Sequence, residues 1–402
     1  MKGDYSMKTS QDLREQIPFL KKLVYLDSAS VVPNPKPVID AMMEYYQEFP
    51  LNYGVGEFYE SKYTTSKVDE ARAKLAGFIN AKSSDEVIFT KNTTEAINLV
   101  ARGIDWKTGD EIIITSVEHQ SNIMPWLRAQ KEKGAVVKIA WAEPTGLVDP
   151  VTVEKLITPR TKLVAVTHVS NIYGTIQPVK EIGRIAKNAG VLFMVDAAQS
   201  GGRVPIDVQS INCDFLTLCG RKSLMGPQGT GALYAKKDVL DTLKPLTVGS
   251  RAGHVKAENF YSLNPIPHRL ESGVLNTSGV IGLAKAIDCL NEIGVPNILK
   301  YNQGLTKQML DVLSNTKGIQ VYGCKDIEHL AGVISWNVQG QDCAEVARKL
   351  DEAKKVAVAS GAQGSLLAIR HLGIKGVVRT SVHYFSIPDD IRALEKGLHS
   401  II

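Results

Sequence analysis

The sequence predicts an α/β fold, with a large domain built on a mostly parallel sheet flanked by helices and a smaller α+β domain at the C-terminus. The chain of 402 residues is longer than one ordinary domain of about 100–200 residues. Short apolar runs rich in β-branched residues alternate with helical patterns up to about residue 290, and mixed helices and strands follow. We expect a large domain over residues 22–290 and a small domain over residues 1–21 and 291–402.

The strands of the large domain are predicted from runs in which apolar residues follow one another instead of alternating with polar ones, as in strands buried on both faces. These runs are 87–90, 112–115, 163–167, 191–195 and 215–218. Apolar residues at 179, 182, 185 and 186 have helical spacing and predict a helix over 179–186. Ligands bind beyond the carboxyl ends of such strands, so the loops there are expected to carry the chemistry.

The remaining predicted elements lie at the two ends of the chain. They are a helix over 10–20, helices over 298–314 and 342–352, a strand over 333–338 and a last helix over 388–399.

Composition excludes several classes of protein. Hydrophobic residues make up 44% and charged residues 22%, as in an ordinary globular chain. The net charge of +5 is too small for a nucleic-acid-binding surface, and no apolar run approaches the length of a membrane span. We expect a cytoplasmic protein with no nucleic-acid or membrane partner. Five scattered cysteines without a CxxC pair make a metal site or a disulfide framework unexpected.

Three strand ends carry candidate functional residues. After 87–90, Asn92 can cap a helix whose free N–H groups, with the hydroxyls of Thr93 and Thr94, suit a phosphate. After 191–195, Asp196 is a poorly solvated carboxylate that needs a cationic partner, such as the ring nitrogen of pyridoxal phosphate (PLP). After 215–218 comes Lys222, which burial and a neighbouring cation would activate for Schiff-base chemistry. Each feature alone also fits a plain role, namely a helix cap, a turn aspartate or a solvated lysine.

The chain resembles the fold-type I PLP-dependent transferases of aminotransferase class V, and within them the group II cysteine desulfurase and selenocysteine lyase family. The resemblance covers nearly the whole chain from Tyr25 onward. The motifs that carry it are Asn92-Thr93-Thr94-Glu95-Ala96-Ile97-Asn98, Glu118-His119-Gln120-Ser121-Asn122, His168-Val169-Ser170-Asn171, Val195-Asp196-Ala197-Ala198-Gln199, the Lys222 loop and Arg379-Thr380-Ser381-Val382-His383-Tyr384.

The resemblance implies PLP as cofactor, Lys222 as the residue that binds it covalently and His119 as a catalytic residue stacked on its ring. Asp196 would pair with the ring nitrogen and Gln199 with the ring oxygen. The residues expected around the cofactor are Thr93, Thr94, His119, Asn171, Asp196, Gln199, Cys219, Arg221, Lys222 and Thr277.

The resemblance also implies the partners of the site. Asn171 and Arg379 would bind the carboxylate of an amino acid substrate. Thr277 would reach the phosphate in a neighbouring subunit, so a homodimer with shared active sites is expected. A sulfur-acceptor protein is a further expected partner.

The sequence departs from this family at three places. Cys219 and Arg221 stand where the family usually has Ser and His, and a His-rich stretch expected near residues 52–58 is absent. Gly364 stands where the family places its persulfide-forming cysteine, with Ala359 where an arginine is common. Glycine offers no nucleophile. We therefore expect cysteine desulfurase-like release of sulfur or selenium without that cysteine. The alternatives are a class V aminotransferase, an epimerase, a C–S β-lyase or a non-catalytic PLP-fold binding protein.

Overall fold

The computed structural model describes residues 8–402, so the first seven residues of the predicted small domain lie outside the described part of the chain. The strands are β1 Val24–Tyr25, β2 Val87–Thr90, β3 Glu111–Thr115, β4 Val136–Ala140, β5 Thr161–Thr167, β6 Leu192–Asp196, β7 Phe215–Cys219, β8 Gly231–Ala235, β9 Gly253–Ala257, β10 Phe260–Leu263, β11 Ile319–Tyr322, β12 Val333–Val338, β13 Val356–Ala357, β14 Ala359–Gly361 and β15 Val377–Ser381.

The α-helices are α1 Ser10–Glu15, α2 Lys36–Glu48, α3 Tyr59–Phe78, α4 Thr93–Gly103, α5 Met124–Lys133, α6 Pro150–Leu156, α7 Val179–Asn188, α8 Val208–Ile211, α9 Lys237–Leu240, α10 Thr277–Ile293, α11 Val295–Asn315, α12 Cys343–Lys354, α13 Leu366–His371 and α14 Pro388–Ile401. Short 3₁₀ helices lie at Pro18–Lys21, Ser84–Glu86, Gln120–Asn122, His268–Leu270 and Ile327–His329.

A seven-stranded sheet with the order β2-β8-β7-β6-β5-β3-β4 forms the centre of the molecule. Only β8 runs antiparallel to its neighbours in this sheet. Alternate residues of β5 face two different apolar clusters, with Val164 in one and Leu163 and Ala165 in the other. The predicted mixed α/β fold with a largely parallel sheet is confirmed, and the continuous apolar runs arise because both faces are covered.

A second, antiparallel sheet with the order β11-β12-β15-β14 lies near the C-terminus. The N-terminal segment packs beside it, since β1 pairs with β13 and the Arg14 guanidinium lies 2.9 Å from the Asp390 carboxylate on α14. The assignment of residues 1–21 to the small domain stays a prediction, and β1 lies just beyond them, in the predicted large domain. The boundary at residues 290 and 291 stays a prediction.

The predicted helix over 10–20 is wrong in its second half. α1 ends at Glu15, and a separate 3₁₀ helix begins at Pro18. Proline has no N–H to donate and disfavours the helical conformation in the residue before it. Ile17 accordingly has a non-helical backbone, with φ −119° and ψ 84°.

Candidate active site

The carboxyl ends of the central strands meet at one cavity of about 180 Å³. It gathers nine of the residues predicted from the sequence, namely Thr93, Thr94, His119, Asn171, Asp196, Gln199, Cys219, Arg221 and Lys222. They converge because β5, β6 and β7 run in the same direction, and their last residues therefore share one edge of the sheet. Asn92, Ser121, Thr167, Val169 and Ala198 complete the lining.

The start of α4 forms one wall of the cavity. Asn92 caps the helix as predicted, because its Oδ1 accepts the N–H of Glu95 at 2.9 Å. The Glu95 carboxylate accepts the N–H of Lys91 and not that of Asn92. Thr93 and Thr94 sit at the helix N-terminus, where N–H groups without helical partners favour an anion. Thr93 Oγ1 is buried and forms no hydrogen bond within residues 8–402, so this wall suits a phosphate.

Asp196 is buried at the end of β6, with 3% of its surface exposed. Its Oδ1 accepts the N–H of Ala198 at 2.9 Å. Burial raises the pKa of this carboxyl group, and the Lys222 ammonium opposes that shift. A protonated pyridine nitrogen would supply the cation that a buried carboxylate needs.

Lys222 follows β7 and lines the same cavity. Burial lowers the pKa of its ammonium, and the nearby Arg221 and Arg379 guanidinium groups lower it further, whereas Cys219 and Asp196 act in the opposite direction. A lysine with a lowered pKa keeps more of its amine neutral near pH 7, as Schiff-base formation requires. Gln199 lies nearby, and its Oε1 is a buried acceptor without a partner among the described residues.

His119 is held by the loop that follows β3. Its Nδ1 accepts the N–H of Ser121 at 3.1 Å, and the Ser121 hydroxyl also contacts Thr94 Oγ1 at 2.9 Å. Burial, with Lys222, Arg379 and Arg221, lowers the pKa of the imidazole to about 4. The ring is therefore neutral near pH 7, which suits stacking on an electron-poor aromatic ring.

Glu118 anchors this loop and was not singled out as a functional residue by sequence reasoning. Its carboxylate is fully buried and accepts hydrogen bonds from Thr115 Oγ1 at 2.6 Å, Thr167 N at 2.8 Å and Asn122 Nδ2 at 2.7 Å. Burial raises its pKa to about 8 despite these donors. Its position directly before His119 in the motif was the available signal.

Arg379 lies on β15 beside the cavity and is almost fully buried. Its Nη1 donates to the backbone oxygen of Asn171 at 3.2 Å. Its Nη2 donates to Asp27 Oδ1 at 2.9 Å and to Ser30 Oγ at 2.7 Å. The predicted substrate-binding pair of Asn171 and Arg379 is thus brought together. The sequence analysis gave Asp27 no role, and its ion pair with Arg379 is visible only in the structure.

Thr277 lies outside this cavity, at the start of α10. Its side chain is buried, and its Oγ1 is 3.4 Å from the backbone oxygen of Leu275. The predicted contact with the phosphate in a neighbouring subunit stays a prediction.

The loop after β14 is hydrogen bonded to residues at and beside the cavity. Gln120 N donates to the Gly364 oxygen at 2.6 Å, and Asn171 Nδ2 donates to the Gln363 oxygen at 2.8 Å. Ser365 Oγ donates to Asn171 Oδ1 at 2.8 Å. These bonds fix Gly364 against the residues that surround the cavity.

The family model for aminotransferase class V matches residues 24–394. The chain belongs to the aminotransferase class V family. Members of this family are PLP-dependent enzymes, and the cavity fits PLP because it combines a lysine, a buried carboxylate, an anion-binding helix start and unpartnered polar atoms. The protein is therefore a PLP-dependent enzyme, as predicted.

Relatives of this class V chain include a probable cysteine desulfurase of Methanothermobacter thermautotrophicus, which is 43% identical over 98% of each chain. The apo structure of a cysteine desulfurase from Thermococcus onnurineus superimposes with a TM-score of 0.95 over 99% of each chain, at 36% identity. A cystine C–S lyase complexed with cysteine persulfide shares the fold, with a TM-score of 0.84 and 22% identity over 95% of this chain and 99% of that one. The resemblance to cysteine desulfurases drawn from the motifs is confirmed.

Within residues 8–402, no helix is long and apolar enough to cross a membrane. In the same range, no group of three or more His, Cys, Asp and Glu side chains is arranged to hold a metal ion.

Proposed function

We propose that this cysteine desulfurase-like enzyme cleaves the C–S or C–Se bond of cysteine or selenocysteine without a persulfide-forming cysteine at position 364. The gathering of Lys222, Asp196 and His119 in one cavity is the observation that carries the proposal. The family and the relatives named above support the substrate class.

Each residue of the cavity would have its own role in binding the cofactor or in moving a proton. Lys222 would bind the cofactor and, once its amine is free, take the proton from the substrate α-carbon. PLP, when bound, withdraws electrons from that carbon. Asp196 would keep the ring nitrogen protonated, His119 would cover the ring face, and the start of α4 would bind the phosphate.

Glycine at position 364 limits the ways in which the C–S bond of the substrate can be cleaved, because it offers no nucleophile. If the usual nucleophile is absent, β-elimination remains available, in which the C–S electron pair leaves with sulfur. Cysteine and water then give hydrogen sulfide, pyruvate and ammonia. Among the cysteines, Cys219 lines the cavity, whereas Cys324 contacts Asp326 away from it. Cys219 is therefore the candidate to test if a persulfide does form.

The test begins with cofactor binding. Protein loaded with PLP is expected to absorb in the visible range, and Lys222→Ala is expected to lose this band, whereas Lys317→Ala at an exposed position retains it. A wild-type protein that takes up no PLP would refute the proposal.

Product analysis with L-cysteine and L-selenocysteine then separates the reactions. Pyruvate with sulfide or selenide indicates β-elimination, and alanine with a protein persulfide indicates desulfuration. Accumulation of the pyridoxamine form of the cofactor indicates transamination, and racemised substrate indicates epimerisation. Turnover of other amino acids but not of these two would refute the proposed substrate class.

We also propose a homodimer. Apolar side chains are exposed on α2, at Ile39, Met43 and Tyr46, and on the hairpin formed by β9 and β10, at Val255 and Phe260. Val255 is 80% exposed, which is unfavourable for a large apolar side chain unless another surface covers it. Sedimentation analysis is expected to give twice the chain mass, and Val255→Glu to weaken the dimer. A sulfur-acceptor protein and the cellular compartment stay predictions.

A further inference from the structure

We infer that Asp27 lowers the affinity of the site for substrate by competing, as an internal carboxylate, for the guanidinium of Arg379. The inference rests on the proposed function, because it assumes that the ligand carries the α-carboxylate of an amino acid. It assigns a specificity-determining role to a residue that does not line the cavity itself.

The contacts of Arg379 show which of its donors are engaged. Nη1 is used by the backbone oxygen of Asn171, and Nη2 is used by both Asp27 and Ser30. Nε is buried and forms no hydrogen bond with the residues that the structure describes. These contacts therefore leave the Nε hydrogen and one of the two Nη1 hydrogens without an acceptor among the described residues.

A guanidinium binds a carboxylate best through two parallel N–H bonds. The Nε and Nη2 hydrogens form one such pair, because they lie on the same edge of the planar group. A carboxylate that enters beside Arg379 can bind Nε without displacing a partner, but it reaches Nη2 only by displacing Asp27 or Ser30. Full bidentate binding of substrate therefore requires that this internal pair be opened.

Asp27 is well held for this role. Ser30 Oγ donates to its Oδ1 at 2.8 Å, which closes a triangle of Asp27, Ser30 and Arg379. The backbone of Asp27 forms a bridge with Ser381 at the end of β15, the strand that carries Arg379. This bridge holds the backbone of Asp27 beside the strand that carries Arg379. The Asp27 side chain is partly exposed, whereas Arg379 is almost completely buried.

The triangle borders the cavity. Asn171 and Arg221 line the cavity, and each contacts the triangle, since Arg379 donates to the Asn171 oxygen and Arg221 donates to the Ser30 oxygen. Arg379 also lowers the pKa values of His119 and Lys222, which places its charge near both. A substrate carboxylate bound next to Lys222 would therefore lie within reach of Nε.

Before substrate binds, Asp27 stabilises the buried charge of Arg379. A buried guanidinium without a counter-ion is unfavourable, and Asp27 provides that counter-ion until substrate replaces it. The binding free energy of a substrate must exceed the free energy lost when the Asp27–Arg379 pair opens. A ligand whose carboxylate is poorly placed for Arg379 would therefore bind weakly.

Asp27→Asn tests the inference, because the amide keeps the size and one oxygen acceptor but removes the charge. We expect the dissociation constant of L-alanine, followed by the change in visible absorption of the PLP-loaded protein, to fall by about three- to tenfold. Ethylamine, which lacks the carboxylate, is expected to bind both proteins equally.

A role for Asp27 in simply orienting Arg379 predicts the opposite sign, namely weaker binding of L-alanine by Asp27→Asn. Weaker or unchanged binding of L-alanine, or an equal gain for ethylamine, would overturn the inference. Ser30→Ala is the companion variant, since it frees Nη2 from one acceptor without removing a charge, and it is expected to give a smaller gain.

Propionate separates this inference from the proposed function. It carries a carboxylate but no amine, and calorimetric titration of the PLP-loaded protein measures its binding without any reaction. Tighter binding of propionate by Asp27→Asn supports the inference even if no sulfur amino acid is turned over. Turnover of cysteine with no tighter propionate binding overturns the inference alone.

Discussion

The α-carbon of Gly364 faces the imidazole of His119 so closely that the molecule has no room for a side chain at this position. A β-carbon there would overlap His119 Nε2 and come within 2.8 Å of Cδ2. The glycine also has φ +70°, a conformation that other residues adopt only with strain. In this conformation of the loop, the backbone at position 364 would not accommodate a cysteine side chain.

Gly364→Ala is expected to displace the loop and to move His119. Backbone strain costs about 1–2 kcal/mol, and loss of the hydrogen bonds around Gly364 adds about 0.5–1.5 kcal/mol each. Gly373→Ala is the matched control, because Gly373 has φ +68° and no described atom within 4 Å of its β-carbon position. Denaturant titration and the visible spectrum of the cofactor should both change more in Gly364→Ala. Equal changes in stability and in the cofactor spectrum of the two variants would show that the His119 side chain moves aside at little cost in free energy.

Gly364→Cys extends this prediction to function. Because the new side chain meets His119, we expect no gain of persulfide formation from L-cysteine and weaker cofactor binding. Mass spectrometry of the protein after turnover checks for the persulfide. A stable persulfide on the introduced cysteine, with alanine as product, would mean that the loop opens during catalysis.

Asp196→Asn is expected to weaken PLP binding without lowering the stability of the apoprotein. Burial raises the pKa of Asp196, so its charged form destabilises the apoprotein. This penalty is absent at low pH, where the carboxyl is protonated in both the folded and the unfolded state. It grows as pH rises from the ordinary unfolded-state pKa to the raised folded-state pKa, and it stays constant above the latter. At neutral pH the apo variant should therefore melt at least as high as wild type, yet bind PLP more weakly. A lower melting temperature of the apo variant would contradict this account.

Arg221→Gln is expected to shift the pH dependence of PLP uptake upward. Burial is the main cause of the lowered pKa of Lys222, and Arg221 contributes as a nearby cation. Removing that cation raises the pKa, so the neutral amine becomes available only at higher pH. The midpoint of a plot of uptake rate against pH measures the shift. Arg184→Gln, at an exposed position of α7, serves as the control and should leave the midpoint unchanged.

Glu271→Gln is expected to destabilise the large domain strongly. The buried Glu271 carboxylate binds Arg72 on α3 through both oxygens, at 2.6 and 2.9 Å, and accepts the N–H of Phe89 on β2. Leaving a buried charge without its partner costs about 3–5 kcal/mol. The half-exposed pair of Lys74 and Asp288 links α3 to α10, and Asp288→Asn should cost less than about 1 kcal/mol. Similar unfolding midpoints for the two variants would refute the ranking.

Local sequence patterns predicted the central sheet well. Five of its seven strands, β2, β3, β5, β6 and β7, correspond to predicted runs, whereas β4 and β8 were not predicted. In the second sheet, the predicted strand over 333–338 matches β12. The hairpin of β9 and β10 was not predicted, because its side chains are mostly exposed and the sequence there has no apolar run. The break at Pro18 could have been predicted from the sequence, because proline disfavours the helical conformation in the residue before it.

The sequence alone determined the fold class, because apolar runs and the residues that follow them are local properties of the chain. The family and the set of cofactor-binding candidates came from the resemblance of its motifs to aminotransferase class V. Nine candidates lie in one cavity since parallel strands bring their carboxyl ends together. Only the tertiary structure showed that Asp27 forms an ion pair with Arg379, that Thr277 lies outside the cavity and that Gly364 lies against His119. These pairs are separated by hundreds of residues in the chain, and their distances follow from how the two sheets pack and not from any local pattern.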